Sequence, residues 1–121
     1  MVKALFDTNI LIDFLNGVPQ AKFELSRYRD KAISMITWME VMAGATPATQ
    51  STLHGFLQEF SHVAIDEQVG TVAVTLRQRY RIKLPDAIVW ASAQVSGRLL
   101  VTRDTGDFNV GEPGIRIPYQ L

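Results

Sequence analysis

Four acidic residues stand next to apolar segments of this chain. Asp7, Glu40 and Asp104 each follow an apolar run, and Asp86 precedes one. If the runs before the acids are strands of one parallel sheet, the carboxylates meet at its carboxyl edge, where open α/β sheets bind ligands. The four residues are Asp7, Glu40, Asp86 and Asp104.

Acids gathered in this way favour one kind of chemistry. Clustered carboxylates repel one another, and the repulsion raises the pKa of at least one of them. A hard divalent cation relieves the repulsion, and Mg²⁺ and Mn²⁺ prefer oxygen ligands. The pattern therefore predicts a divalent metal site, and a metal site at a sheet edge indicates phosphoryl chemistry.

Each acid taken alone also has a structural interpretation. Asp7 suits the N-cap of the next helix, and the segment 37–40 matches a capping box closed by its glutamate. Asp86 lies in a first helical turn, where the macrodipole favours an acid. Asp104 suits a tight turn, and Asp107 competes with it for a functional role. The functional interpretation therefore depends on the joint pattern, which places all four acids at the same predicted edge.

The elements that must position these acids follow from apolar periodicity and from proline and glycine signals. Strands alternate with helices along the whole chain, which predicts an α/β class with a mostly parallel sheet. Strands are predicted at 2–6, 32–36, 63–65, 99–102 and 115–117. Helices are predicted at about 10–15, 19–30, 37–43, 47–60, 66–80 and 85–95.

Several apolar side chains have a predicted place in the core. In the second predicted helix, Phe23 and Tyr28 are expected to be core contacts. Trp38 and Trp90 fall at helical core spacing, so packing is favoured over base stacking. A further stripe of four apolar residues is expected to pack in the core, with a partner groove as the alternative. This stripe consists of Leu53, Phe56, Leu57 and Phe60.

The composition bounds the remaining possibilities. A chain of 121 residues fits one domain, and the absence of cysteine excludes thiolate metal sites and disulfides. A net charge of zero argues against strong nucleic-acid binding through overall charge. No apolar run approaches the ~20 residues of a membrane span. The N-terminus becomes acidic too early for a signal peptide, so we expect a cytoplasmic protein without a membrane partner.

An acidic site must still attract a polyanion, and basic residues lie close in sequence to two of the acids. For Arg79 a solvated helix face is favoured. For the basic residues nearest the predicted edge, phosphate contact and simple solvation remain equally open. These residues are Arg81, Lys83 and Arg103.

At the acidic positions the chain resembles PIN-domain nucleases, and most of all the VapC-type toxins of prokaryotic toxin–antitoxin pairs. Each matching segment is weak alone, but the four stand in the family's order and spacing, and the match that they define spans nearly the whole chain. They are 5–12, 36–44, 84–91 and 100–108.

The resemblance implies a Rossmann-like α/β/α fold with a central parallel sheet, as a single PIN domain over residues 1–121. It implies that Asn9 and Thr102 support the acids, and that Asp107 takes part in the site or stabilises its loop. It implies a catalytic and metal-binding set around Mg²⁺ or Mn²⁺. This set consists of Asp7, Glu40, Asp86 and Asp104.

The same resemblance implies an endoribonuclease that is the toxin of a type II pair, a homodimer, and a small antitoxin partner. Metal-assisted hydrolysis of a phosphodiester would leave a 5′-phosphate and a 3′-hydroxyl. Because the 2′-hydroxyl is not needed as nucleophile, the choice of RNA as substrate depends on the resemblance. The alternative is a non-catalytic PIN module that acts by protein or RNA binding, and the intact acidic set argues against it.

Overall fold

In the computed structural model, five strands form one sheet with helices on both faces. The structure describes residues 2–108 and 111–121. The strands are β1 (Ala4–Phe6), β2 (Lys31–Ser34), β3 (Ser61–Val63), β4 (Leu99–Val101) and β5 (Ile115–Arg116). The helices are α1 (Thr8–Leu15), α2 (Pro19–Ser26), α3 (Met35–Ala43), α4 (Gln50–Leu57), α5 (Glu67–Tyr80) and α6 (Leu84–Val95). No helix in the described ranges is long and apolar enough to cross a membrane.

The sheet has the strand order β3-β2-β1-β4-β5, and every neighbouring pair is parallel. The predicted α/β class with a parallel sheet is therefore confirmed. The chain runs outward from β1 to β3 on one side and then returns to build β4 and β5 on the other. This reversal makes the gap between the carboxyl ends of β1 and β4 a topological switch point, which is where such sheets bind ligands.

The core consists of two apolar clusters, one on each face of the sheet. Successive side chains of a strand point to opposite faces, and β1 shows this directly. Leu5 packs with residues of α5 and α6. Phe6 packs with residues of α1, α2, α3 and α4. Trp90 belongs to the first cluster and Trp38 packs against the second, so the predicted packing role of both is confirmed.

Helix α2 corrects one core prediction. Tyr28 is buried as expected, but Phe23 is 67% exposed. The helix ends at Ser26, and its buried face consists of Ala21, Glu24 and Leu25. Phe23 lies off this face because the inward position is taken by Glu24, a charged residue that the apolar pattern gave no reason to place inside.

The start of α3 corrects a second prediction. Strand β2 ends at Ser34 and not at Ile36, and the Ser34 hydroxyl caps α3 by accepting from the Ile36 N–H at 3.2 Å. Thr37 therefore lies inside the helix and is buried, so the predicted capping box is wrong. The helix begins two residues earlier than predicted because serine ranks above threonine as an N-cap.

Arg81 has a backbone conformation that is uncommon for a residue with a side chain. It ends α5 with φ 56° and ψ 31°, and its N–H donates to the Arg77 carbonyl. Glycine usually fills this left-handed position at a helix end because the conformation strains residues with a Cβ. The sequence contains no glycine there, so the strain was not predicted.

We expect Arg81→Gly to stabilise the protein by about 1 kcal/mol, because glycine adopts the left-handed conformation freely. The matched control is Arg79→Gly, which removes the same side chain from the last turn of α5 and should destabilise by about 1 kcal/mol. Urea unfolding of both variants measures the two free energies. The prediction would be contradicted if both variants were more stable, or both less stable, than the wild type.

Candidate metal centre

The parallel register of β1 and β4 brings the first and last acids together. Phe6 pairs with Val101, so the next residues, Asp7 and Thr102, leave the sheet side by side. The Asp7 N–H donates to the Val101 carbonyl at 2.9 Å. Asp104 follows two residues later. This pairing places the carboxyl end of β1 beside the loop that follows β4.

Asp7 is buried and is held by hydrogen bonds on both carboxylate oxygens. It is 6% exposed and forms the N-cap of α1, where Oδ1 accepts from the Thr8 N–H at 2.7 Å. Oδ2 accepts from the Thr102 hydroxyl at 2.8 Å and from Asn9 Nδ2 at 3.2 Å. Asn9 Nδ2 also donates to the Thr102 hydroxyl at 3.1 Å. The cap interpretation therefore holds, and Asn9 and Thr102 also fix the orientation of Asp7.

Three other acids form a compact group beside Asp7. One carboxylate oxygen from each of Asp86, Asp104 and Asp107 lies within 4.8 Å of the other two. Asp86 comes from the first turn of α6. Asp104 organises its own loop, because its Oδ1 accepts from the N–H groups of Gly106 at 2.9 Å and Asp107 at 3.1 Å. The predicted tight turn is present, and it points two acids of the loop toward Asp86.

Asp107 has a more central place than the sequence indicated. It was predicted as a supporting residue, yet within the described part of the chain it shares the tightest acidic group with Asp86 and Asp104. The available signal was the spacing of three residues between Asp104 and Asp107. A tight turn that begins at Asp104 brings the residue three positions later back beside it.

Glu40 approaches the site from α3 and is more exposed than the other acids. Its Oε1 accepts from the Thr8 hydroxyl at 2.7 Å, and this hydroxyl also lies 3.0 Å from the hydroxyl of Thr37. Thr8 is the first residue of α1, directly after Asp7. The contact therefore joins α3 to the start of α1. Glu40 lies close enough to Asp7 for its negative charge to raise the pKa of Asp7.

The acids disfavour one another's ionisation. Burial raises the pKa of Asp7 to about 6, against the hydrogen bonds from Thr102 and Thr8, and the charges of Glu40 and Asp104 add to the rise. Burial also raises the pKa of Asp86 to about 7, helped by a hydrogen bond with Asp107 and by the neighbouring carboxylates. Near neutral pH the centre on its own therefore retains part of its protons.

This donor set fits a hard divalent cation. The ligand atoms offered by Asp86, Asp104 and Asp107 are all carboxylate oxygens, which Mg²⁺ and Mn²⁺ prefer. Two metal–oxygen bonds of about 2.1 Å span up to about 4.2 Å. Small side-chain movements from separations of at most 4.8 Å would therefore let one ion bind oxygens of all three acids. A bound cation would also remove the repulsion that raises the pKa of Asp7 and Asp86.

The basic residues that lie close to the acids in sequence differ in exposure and in the contacts they make. Arg81 and Lys83 are exposed in the segment between α5 and α6. Arg103 is engaged inside the protein, because its guanidinium donates through Nε and Nη2 to Asp13, with Nη2 3.0 Å from Oδ1. Sequence reasoning missed Asp13. The available signal was an acid within the otherwise apolar segment 10–15, where burial requires a partner.

Comparison with known proteins is consistent with this arrangement. A model of the PIN domain family matches residues 4–111. The chain is 45% identical to a chain of a toxin–antitoxin complex from Klebsiella pneumoniae, over 98% of this chain and 100% of that one, with a TM-score of 0.92. None of the curated proteins compared with the chain matches it.

Two more distant structures share the fold. FitAcB from Neisseria gonorrhoeae is 23% identical over 98% of this chain and 99% of that one, with a TM-score of 0.80. DNA-bound VapBC from Salmonella typhimurium is 23% identical over 96% of both chains, with a TM-score of 0.77. At this identity the likeness shows the fold alone.

We expect Asp86→Asn to stabilise the metal-free protein at pH 8 by about 1 kcal/mol, a few degrees in Tm, after allowance for solvent screening. The pKa of Asp86 is raised in the folded state from 3.8 to about 7. Its contribution to stability is thus fully present below pH 4 and is lost as the pH rises through about 7. Asparagine does not ionise, so the variant avoids the cost of a charged carboxylate at this position at pH 8.

Thermal unfolding in EDTA at pH 5 and pH 8 measures this effect. The control is Glu67→Gln, which neutralises an exposed acid in the first turn of α5 and should gain nothing at pH 8. A gain for Asp86→Asn that is equal at both pH values would contradict the assigned cause.

Proposed function

Because the chain belongs to the PIN domain family, we propose that it is a metal-dependent endoribonuclease and the toxin of a type II toxin–antitoxin pair. The observation that carries the nuclease proposal is the gathering of Asp86, Asp104 and Asp107 within 4.8 Å of one another beside the buried Asp7. The toxin proposal is supported by the 45% identity to a chain of a toxin–antitoxin complex.

The proposed catalytic residues and metal ligands are Asp7, Glu40, Asp86 and Asp104, with Asp107 as a further candidate from the compact group. Mg²⁺ or Mn²⁺ bound there would activate water and stabilise negative charge on the scissile phosphate. The family resemblance and the oxygen-only donor set support this choice of cofactor.

The side chains have distinct proposed tasks. Thr102 and Asn9 hold Oδ2 of Asp7, and the Thr8 N–H holds Oδ1, so this carboxylate keeps one orientation while substrate binds. A bound ion would relieve the repulsion between the acids, and an oxygen of Asp86 that does not contact the ion would accept the proton of the attacking water. The Asp86 carboxyl oxygen can pass that proton toward Asp107, with which it shares a hydrogen bond.

Substrate binding requires positive charge around this acidic centre. Arg81 and Lys83 are exposed on the segment that leads into α6, a few residues before Asp86, and we assign them to RNA phosphates. A net charge of zero means that this local group must act in place of the overall charge. The use of RNA and the formation of a homodimer, both implied by the resemblance, stay predictions.

An apolar groove between α1, α2 and α4 is the proposed site for the antitoxin. Its apolar lining includes the stacked rings of Phe14 and Phe56, whose centroids are 5.2 Å apart. Its rim is basic, with Lys22, Arg29 and Lys31 against the single acid Glu59. This charge favours an amphipathic partner segment that carries acidic residues. Phe56 belongs to the stripe for which a partner groove was the alternative to core packing.

We expect the purified protein to cleave a pool of end-labelled structured RNAs in the presence of Mn²⁺ or Mg²⁺, and EDTA to stop the cleavage. Asp86→Asn should lower the cleavage rate at least about 100-fold, because it removes a ligand and a proton acceptor while the fold is retained. Glu67→Gln, which changes an exposed acid outside the acidic group, should cleave at the rate of the wild type.

The outcomes separate the two functional hypotheses. A folded wild type that neither cleaves RNA nor binds Mn²⁺ in calorimetry would favour the non-catalytic module. Cleavage that persists in Asp86→Asn and in EDTA would show that the activity does not belong to this centre. A folded wild type that binds Mn²⁺ but leaves every RNA in the pool intact would contradict a broad nuclease and direct the search to a narrow substrate.

We expect induced expression of the chain alone to arrest the growth of a bacterial host, and Asp86→Asn to restore growth to the level of an empty vector. The physical reason is that arrest by a nuclease requires its metal centre, whereas arrest by aggregation does not. Growth curves and colony counts measure the effect, with protein amounts compared by immunoblot. Equal growth with wild type and variant, at equal amounts of protein, would argue against the toxin proposal.

A further inference from the structure

A second ionic cluster adjoins the acidic centre and has no place in the proposed chemistry. It consists of Asp13 in α1, Arg103 in the loop after β4, and Tyr119 in the segment after β5. Asp13 is 4% exposed. Its Oδ1 accepts from Arg103 Nη2 at 3.0 Å, and its Oδ2 accepts from Arg103 Nε and from the Tyr119 hydroxyl, the latter at 2.8 Å. Both carboxylate oxygens are therefore engaged by donors from distant parts of the chain.

Arg103 is fixed to α1 at two points. Its side chain holds Asp13, and its backbone N–H donates to Oδ1 of Asn9 at 3.3 Å. Asn9 and Asp13 are four residues apart in α1 and so share one face of the helix. Asn9 also holds Asp7 through Nδ2. The residue just before Asp104 is thus tied to the same helix whose first turn orients Asp7.

The charge state of this cluster differs from that of the acidic centre. Hydrogen bonds from Arg103 lower the pKa of Asp13 in spite of its burial, and the Tyr119 hydroxyl contributes further. Asp13 is thus an ionised carboxylate neutralised within the chain. It has no need of a metal ion, and Arg103, with Nε and Nη2 committed to it, is poorly placed to be a mobile contact for phosphate.

We propose that Asp13, Arg103 and Tyr119 are positioning residues that hold the Asp104 loop at its working distance from Asp7 and thereby set the metal affinity of the centre. This inference rests on the proposed function, since it assumes that the acids bind a divalent ion. It replaces the expectation that Arg103 contacts RNA phosphate. It also gives Tyr119, which the sequence did not single out, a role at a site formed by other elements.

The protein contains a matched control for this cluster. Glu24 in α2 is also buried, and it accepts from Arg116 Nη2 at 3.1 Å and from the Tyr28 hydroxyl at 2.9 Å. The chemistry is similar: a buried carboxylate, an arginine that holds it through two nitrogens, and a tyrosine hydroxyl. Glu24 has one further contact, with Arg27 Nη1 3.4 Å from its Oε1. The Glu24 cluster, however, joins α2 to β5 and lies outside the hydrogen-bond path from α1 to Asp104.

The test compares Tyr119→Phe with Tyr28→Phe, each of which removes one hydroxyl from a buried carboxylate. Titration of the metal-free protein with Mn²⁺ in a calorimeter, without RNA, gives the dissociation constant. We expect Tyr119→Phe to weaken Mn²⁺ binding about 10-fold, as changes behind the ligands of a metal commonly do. Tyr28→Phe should bind Mn²⁺ as the wild type does. Thermal unfolding of both variants corrects for any general loss of stability.

Arg103→Lys and Arg116→Lys form a second pair that keeps the charge but removes the planar fork of the guanidinium. If Arg103 positions the loop, only Arg103→Lys weakens Mn²⁺ binding and alters the electron paramagnetic resonance spectrum of the bound Mn²⁺. If it contacts phosphate instead, both variants bind Mn²⁺ as the wild type does. This pair also decides the question if Tyr119→Phe does not fold.

The outcomes distinguish this inference from the function on which it rests. A wild type that binds no Mn²⁺ would overturn the proposed metal centre itself. A wild type that binds Mn²⁺, with equal affinities in the two variants of each pair, would overturn the positioning role and leave the metal centre intact. In that case Asp13, Arg103 and Tyr119 would only stabilise the fold, as their counterparts at Glu24 do.

Discussion

The burial of the Asp7 carboxylate is the constraint on which the rest of the site depends. The carboxylate lies at the end of the central strand, 6% exposed, and burial raises its pKa to about 6. Donors from Thr8, Asn9 and Thr102 offset part of the free energy of burying its charge. The part of the burial penalty that these hydrogen bonds do not offset lowers the stability of the folded protein. A group kept under such a penalty is a candidate for function, because structural carboxylates are ordinarily matched by a cation.

Strand order turns this one carboxylate into a site. Since β4 returns to pair with β1, the chain leaves the sheet twice at neighbouring points, and the loop after β4 closes over the start of α1. Asp86 reaches the same place because α6 packs across the sheet with its first turn at the carboxyl edge. The acids thus come from three separate parts of the chain: the link from β1 to α1, the start of α6, and the loop after β4. Local hydrogen bonds, such as those within the Asp104 loop, then fix each side chain after the topology has brought it near.

The sequence predicted what depends on local patterns and missed what depends on distant pairing. The α/β class followed from alternating apolar runs, and so did the expectation that acids beside those runs meet at one edge of the sheet. The capping box at Thr37 failed because Ser34, three residues earlier, competes for the same role. The prediction that Phe23 is buried failed because the charged residue Glu24 lies on the buried face of α2. The Asp13 cluster was out of reach, since its hydrogen bonds join residues 90 and 106 positions apart, and pairing at that distance leaves no periodic signal.

Two kinds of buried carboxylate occur in this protein, and the contrast between them supports a metal at the sheet edge. Asp13 and Glu24 are buried, yet hydrogen bonds and charge from Arg103 and Arg116 hold their pKa values below the usual range. Asp7 is buried and Asp86 is half-buried, but within the described residues no lysine or arginine pairs with either, and their pKa values are raised. At Asp13 and Glu24 the chain therefore supplies the cation itself. At the switch point the described residues offer Asp7 and Asp86 no such cation, so in the metal-free protein the raised pKa values favour protonation. Carboxylates grouped within 4.8 Å suit a divalent ion, which would replace those protons.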